Sequence, residues 1–296
     1  MRCNECPRKC NVDRSQAVGF CGVKDTFRLA RAALHFWEEP CISGTRGSGT
    51  VFFSGCNLRC VYCQNYPISA QAFGKDVSKE QLQKIVLRLQ SEGAHNVNFV
   101  TPSHYSVSLA NAVREIKPLL TVPVVLNTSG YDSVEALEAW RGVADIFLPD
   151  CKYVDAEVSQ KYSGAADYFA VASKALVKMR ELCPADEFDE DGLMLRGMIV
   201  RHLVLPTLTE QSVKVLRFLR DTFGTEIYVS VMGQYFPCHL AKTDARYRAL
   251  NRRLSEEEYD SVLTAFDELG LENGFCQELS SEEEEYVPSF CLEGIE

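Results

Sequence analysis

Thr50-Val51-Phe52-Phe53-Ser54-Gly55-Cys56-Asn57-Leu58-Arg59-Cys60-Val61-Tyr62-Cys63 is the stretch on which the fold turns. Its first four residues, β-branched and aromatic, read as a short strand. That strand runs straight into a loop carrying Cys-x3-Cys-x2-Cys. With 13 cysteines in 296 residues, random placement gives such a triplet about 0.025 times per chain, so the spacing is a motif. Structural zinc usually takes four ligands, commonly as two separated pairs. Three thiolates on one loop suit three irons of a 4Fe–4S cubane and leave the fourth iron open to a small molecule. Zinc and three buried reduced thiols are the alternatives.

Downstream, strands and helices alternate. Ser78 and Gln81 form a capping box, Leu82, Ile85, Val86 and Leu89 make an apolar stripe, and Gly93 ends that helix. Strands are expected at 96–100, 122–126, 145–148, 195–205 and 226–232. Helices are expected over about 106–119, from Ser133, over 155–182, from Thr209 to about Thr222, and from Ser255, where Glu258 completes a second capping box. Six βα units with strands apolar throughout predict an α/β fold, a partial (β/α)6 TIM-like barrel with a parallel sheet. Right-handed crossovers put every loop after a strand on one face. The chain divides into a Cys-rich N-terminal extension at 1–48, a core at 49–240, and a C-terminal helix with an acidic tail at 241–296. The run Glu282–Glu285 reads as a solvated tail.

The composition, 46% hydrophobic and 24% charged, is that of a globular protein. Net charge is −10 without a basic cluster, which disfavours nucleic acid as a partner. No apolar run approaches the roughly 20 residues of a membrane span, and the N-terminal residues lack an apolar signal segment, so a cytoplasmic protein with reduced thiols is expected.

At the triad the sequence resembles the radical S-adenosylmethionine (SAM) superfamily, whose signature is this spacing with an aromatic before the third cysteine, here Tyr62. The resemblance covers about residues 50–240 and is closest to the activating enzymes of pyruvate formate-lyase and a group named after them. It implies a 4Fe–4S cluster on Cys56, Cys60 and Cys63 whose open iron chelates SAM, with Tyr62 beside the adenine. It further implies an electron from a reductant such as flavodoxin or ferredoxin, and a 5′-deoxyadenosyl radical that abstracts hydrogen, in the activase group from a glycine of a glycyl radical enzyme. Asn127-Thr128-Ser129-Gly130 resembles the family segment after the third strand, and Asp150-Cys151-Lys152 the one after the fourth, whose lysine contacts the SAM carboxylate. Arg201-His202-Leu203-Val204-Leu205-Pro206 resembles the fifth-strand segment, and Gln234-Tyr235-Phe236-Pro237 lies where the sixth strand supplies an adenine-side wall.

The chain departs from the pattern twice. Where the family has Gly-Gly-Glu, which receives the SAM amino group, this chain has Thr101-Pro102-Ser103-His104, leaving Ser103 or His104 to accept those hydrogen bonds. Asn127 replaces an acidic residue, which weakens the case for a cation site built on Asp150. The residues themselves leave two readings of Asp150, Lys152 and Arg201, because charges at the ends of apolar strands need either one another or an ionic ligand. Tyr62 and Gln234 suit packing as well as a ligand.

Cys3, Cys6, Cys10 and Cys21 form Cys-x2-Cys-x3-Cys-x10-Cys in the extension. So short a segment has little core of its own, and a metal would staple it. A second 4Fe–4S cluster is preferred, zinc is the rival, and free thiols are the remaining choice. Cys151 and Cys238 fall near strand ends as candidates for a hydrogen donor or an extra ligand, with small buried residues as the plainer reading. Cys41, Cys183, Cys276 and Cys291 read as structural. The function expected is a radical SAM enzyme, acting on a glycyl radical enzyme, on another protein or on a small molecule. A non-catalytic iron–sulfur or zinc binding module is the rival class.

Overall fold

The structure, a computed structural model, describes residues 2–276 and 288–295. The acidic run Glu282–Glu285 lies outside the described residues. Ten strands follow one another along the chain: β1 (Phe27–His35), β2 (Ser48–Phe53), β3 (Lys75–Val77), β4 (Val97–Val100), β5 (Val124–Thr128), β6 (Ile146–Pro149), β7 (Glu187–Phe188), β8 (Met194–Leu203), β9 (Tyr228–Met232) and β10 (Gly274–Cys276). They form one sheet in the order β10-β9-β8-β6-β5-β4-β2-β1-β3, with β7 paired to β8. From β2 to β10 along that order every pairing is parallel. Among the described residues no pairing joins β10 to β3, so the barrel is open.

The six expected strands are β2, β4, β5, β6, β8 and β9, and the fold is the expected α/β partial barrel. Both capping boxes form, at Ser78 with Gln81 and at Ser255 with Glu258. The span 155–182 is two helices, Ala156–Ser163 and Tyr168–Leu182, because Gly164 turns left-handed between them. Thr209 is the first residue of its helix and makes no cap, the N-cap position being Leu208. The helix from Ser133 is one turn, Val134–Leu137.

Alternation along the strands separates two layers. Val97, Phe99, Val124, Leu126, Phe147, Met198, Val200, Val229 and Val231 belong to the core shared with the helices. The residues between them point into the barrel: Val125, Ile146, Leu148 and Ile199 form a second, smaller cluster, while Val100, Asn127 and Arg201 line a cavity.

Strand β1 was not expected. It runs antiparallel to β2, pairing Leu29 with Phe53 and His35 with Ser48. It therefore delivers the chain to the N-terminal end of the parallel strands, opposite the cysteine loop. There the turn Pro40–Ser43 inserts Cys41 and Ile42 among Val125, Ile146, Leu148 and Ile199, closing the floor of the barrel. Much of the extension is thus sheet and plug.

Candidate active site

The loop after β2 carries the triad. Gly55 has φ +85°, and a Cβ there would stand 2.7 Å from the Cys21 carbonyl oxygen. Only glycine lets the extension approach so closely, and the Cys56 amide then donates to that carbonyl at 3.3 Å. Downstream, the Arg59 and Val61 amides donate to the Ser163 and Tyr162 carbonyls at the end of the helix Ala156–Ser163. Cys56, Cys60 and Cys63 all line one cavity. The Leu58 amide donates to Cys56 Sγ at 3.4 Å, Cys60 Sγ lies 3.0 Å from Ser163 Oγ, and Cys63 Sγ lies 3.1 Å from Ser69 Oγ.

Burial first, then the neighbouring Cys60, pushes the Cys56 thiol up to about 12 and the Cys63 thiol up to about 11. Thiols that resist ionisation in each other's company are stabilised as thiolates by a cationic core. The donor set therefore fits a cluster bound through these three sulfurs. Among the described residues no group of three His, Cys, Asp or Glu side chains is drawn together tightly enough to hold a single metal ion.

The ends of the other strands deliver charge to the same cavity. Lys152 Nζ lies 2.6 Å from Asp150 Oδ2, and Arg201 Nε lies 3.2 Å from Asp150 Oδ1. Burial pushes the Asp150 carboxyl up, but Lys152 and Arg201 outweigh it and leave it below the usual carboxylate range. Burial opposes the Lys152 ammonium, yet Asp150 and the nearby Cys60 sulfur raise it overall. Internal ion pairing, one of the two readings of these three residues, is therefore present. Arg201 reaches further, donating to Asn127 Oδ1 at 2.6 Å and pairing with Glu38 at 3.0 Å. Asn98 and Asn127 amides complete the cage, donating to Glu38 Oε1 at 3.3 and 3.2 Å.

The remaining expected residues divide. Tyr62, Thr128 and Gln234 line the cavity. Tyr62 is buried with its hydroxyl against Tyr153, and Thr128 Oγ1 accepts from the Gly130 amide at 3.1 Å. Ser103 and His104 are buried but absent from the cavity lining, which takes Val100 and Thr101 from that loop. His104 Nε2 sits 2.9 Å from the Ser54 carbonyl oxygen, and burial, with Arg14 nearby, pushes its pKa down to about 3. Cys151 is fully buried in the helix-side core, and Cys238 Sγ donates to the Tyr62 carbonyl at 3.2 Å; neither lines the cavity.

The extension packs against the triad loop. Arg8 donates to the Asn57 and Gly164 carbonyls at 2.7 and 2.9 Å, and the Val107 amide donates to Glu5 at 2.7 Å. Cys3, Cys6, Cys10 and Cys21 converge: burial, then the other three sulfurs, push the Cys6 thiol up to about 12 despite a backbone hydrogen bond. A Cβ on Gly19 would lie 3.6 Å from both Cys10 Sγ and Cys21 Sγ.

Sequence reasoning missed Glu38, Glu39 and Asn98. Glu38 and Glu39 are buried carboxylates in the cavity wall. The available signal was two adjacent acids following the aromatic run His35-Phe36-Trp37 and preceding Pro40, an odd composition for a solvated turn.

A family model described as the radical SAM superfamily matches residues 50–219. An uncharacterized protein of Methanocaldococcus jannaschii, MJ0674, is 30% identical over 280 residues, covering 91% of this chain and 75% of its own length. The pyruvate formate-lyase-activating enzyme of Clostridium pasteurianum is 29% identical over 164 residues, covering 54% of this chain and 63% of that protein. Among solved structures, methylornithine synthase (PylB) aligns with a TM-score of 0.51 at 16% identity, over 80% of this chain and 63% of that one. HydG, a maturase of the [FeFe]-hydrogenase, aligns with a TM-score of 0.52 at 14% identity, over 77% of this chain and 50% of that one. The two structures speak to the fold alone. A family match over more than half of the chain, on a barrel whose strand ends gather three cysteines and a buried charge network around one cavity, means that this protein belongs to the radical SAM superfamily.

Proposed function

We propose that this protein reductively cleaves SAM and uses the resulting radical to abstract hydrogen from a substrate. The observation that carries the reading is the shared cavity, which Cys56, Cys60, Cys63, Tyr62, Asp150 and Lys152 line together. A 4Fe–4S cluster on the three cysteines, with SAM, supplies a 5′-deoxyadenosyl radical and methionine on one-electron reduction. The chain's residues bind, orient and exclude water. In this reading Lys152 holds the SAM carboxylate, Asp150 and Arg201 fix Lys152 in place, and Tyr62 and Gln234 wall the adenine side.

The likeness to a pyruvate formate-lyase-activating enzyme supports a protein substrate, with a backbone glycine of a glycyl radical enzyme as the hydrogen donor. The reductant would then be a small electron carrier such as flavodoxin or ferredoxin. Among the described residues no helix is long and apolar enough to cross a membrane, which is compatible with a cytoplasmic setting. In the extension, the four converging thiols support a second iron–sulfur centre, with zinc as the competing occupant.

The test is anaerobic reconstitution with iron and sulfide, followed by SAM and dithionite. Wild type should form 5′-deoxyadenosine and Cys60→Ala should form none, since the cubane would lack a ligand. Electron paramagnetic resonance with candidate glycyl radical enzymes then reads the substrate. A Cys60→Ala protein that still turns over would sink the proposal; cleavage without any glycyl radical signal would shift the substrate to a small molecule or another protein.

A further inference from the structure

The charges along the cavity form a series. Lys152 stands nearest the triad, where its ammonium acts on the Cys60 and Cys63 sulfurs. Asp150 follows at 2.6 Å, Arg201 at 3.2 Å and Glu38 at 3.0 Å, so the signs alternate. The series then ends on a second carboxylate, Glu39, adjacent in the chain and also in the cavity wall. Glu39 feels Arg201 and Glu38, with weaker contributions from its own backbone amide and from the Ser230 side chain. It is 7% exposed, and its Oε2 has no hydrogen-bond partner.

A buried carboxylate oxygen without a donor is costly to keep. The ionisable groups of the wall offer nothing to satisfy it. Three carboxylates, Glu38, Glu39 and Asp150, face two cations, Lys152 and Arg201, both already engaged. His35 lines the same cavity, but burial and Arg31 push its pKa down to about 4, so it is neutral near pH 7. His35, Trp37 and Phe52 add aromatic surface to the same cavity, the kind of surface that accepts a cation and its carbon stem.

We propose that the Glu39 part of the cavity wall is a subsite for a cationic group of the substrate, a primary ammonium or a guanidinium, received by the Glu39 carboxylate in a cavity with aromatic surface. The missing positive charge at the end of the series is then the substrate's own. The inference rests on the reading of this cavity as the place where substrate hydrogen is abstracted, and it narrows the substrate to molecules or side chains bearing such a group.

The experiment is anaerobic titration calorimetry on the reconstituted protein with SAM bound, using n-pentylammonium as probe and 1-pentanol as its neutral counterpart. Wild type should bind the ammonium saturably and the alcohol about tenfold more weakly or worse. Glu39→Gln should weaken the ammonium about tenfold or more while SAM affinity stays within about twofold. Equal ammonium affinity in Glu39→Gln, or no saturable binding by wild type, overturns the proposal. A loss of SAM affinity with ammonium binding intact also overturns it, and gives Glu39 to the amino group of SAM. Should Glu39→Gln fail to fold, Glu39→Asp retracts the charge by one methylene and must still weaken ammonium binding about threefold; unchanged affinity there is equally fatal. SAM cleavage by wild type, measured separately as 5′-deoxyadenosine, tests the preceding reading, so the two failures are distinct.

Discussion

Lys152→Met separates the two tasks assigned to this lysine. The substitution keeps most of the stem and removes the ammonium, which pairs with Asp150 at 2.6 Å with both side chains largely buried. Stripping a partner from a buried ion pair costs about 3–5 kcal/mol when the remaining charge is stranded. Asp150 is not stranded, because Arg201 still faces it at 3.2 Å. The loss should therefore approach that of one charged hydrogen bond, about 1.5–3 kcal/mol, or a fall in Tm of roughly 3–10 °C for a domain of this size. If Lys152 also holds the SAM carboxylate, a similar term disappears from binding, weakening SAM about tenfold or more. Differential scanning fluorimetry on the reconstituted protein and equilibrium binding of SAM read the two terms independently. Unchanged SAM affinity beside a lower Tm would reduce Lys152 to a structural partner of Asp150. An unchanged Tm would refute the energetics of the buried pair itself.

Three other outcomes are expected. Reconstituted wild type should carry about eight irons per chain, taking four for each cubane, and replacing Cys3, Cys6 and Cys10 with Ala should leave about four; metal analysis finding about four irons and one zinc in wild type would assign a zinc knot to the extension. Burial raises the Glu39 carboxyl above its ordinary value, so the ionised form opposes folding at pH above that raised pKa and the opposition vanishes as protonation proceeds below it. The Tm of Glu39→Gln relative to wild type should accordingly rise with increasing pH, and a pH-independent difference would contradict it. Gly130 has φ +74°, and a Cβ there would collide with the Asp150 carbonyl oxygen; Gly130→Ala should cost at least about 2 kcal/mol in chemical denaturation, and a neutral result would mean that the loop after β5 yields easily.

The parallel strands were legible because both faces of each are covered, which makes them short apolar runs bounded by turn residues. The same burial concealed the barrel's inner surface. Asn98, Asn127 and Arg201 are polar interruptions at alternate positions, and they mark the inward face only once the register is known. Strand β1 escaped notice because Phe27-Arg28-Leu29-Ala30-Arg31-Ala32-Ala33-Leu34-His35 is rich in alanine and arginine, which favour helix locally. Its pairing with β2 and β3 overrides that preference. The triad needed only spacing to be found. Glu38 and Glu39 could not be found that way, since their partners lie on strands far along the chain, Arg201 being 163 residues from Glu38.

The path of the extension explains why one short segment touches both ends of the barrel. Its first part lays Cys21 against Cys56 through a backbone hydrogen bond. Strand β1 then carries the chain antiparallel along β2, the full depth of the sheet, and returns it at the opposite end. From there Glu38 reaches into the barrel to Arg201, near the C-terminal end of β8, whose other side holds Asp150, which in turn holds Lys152 next to Cys60 and Cys63. Three consecutive charge contacts thus link Glu38 to Lys152 beside the cluster loop. Low dielectric in the interior makes each of those contacts strong and each unpaired member costly.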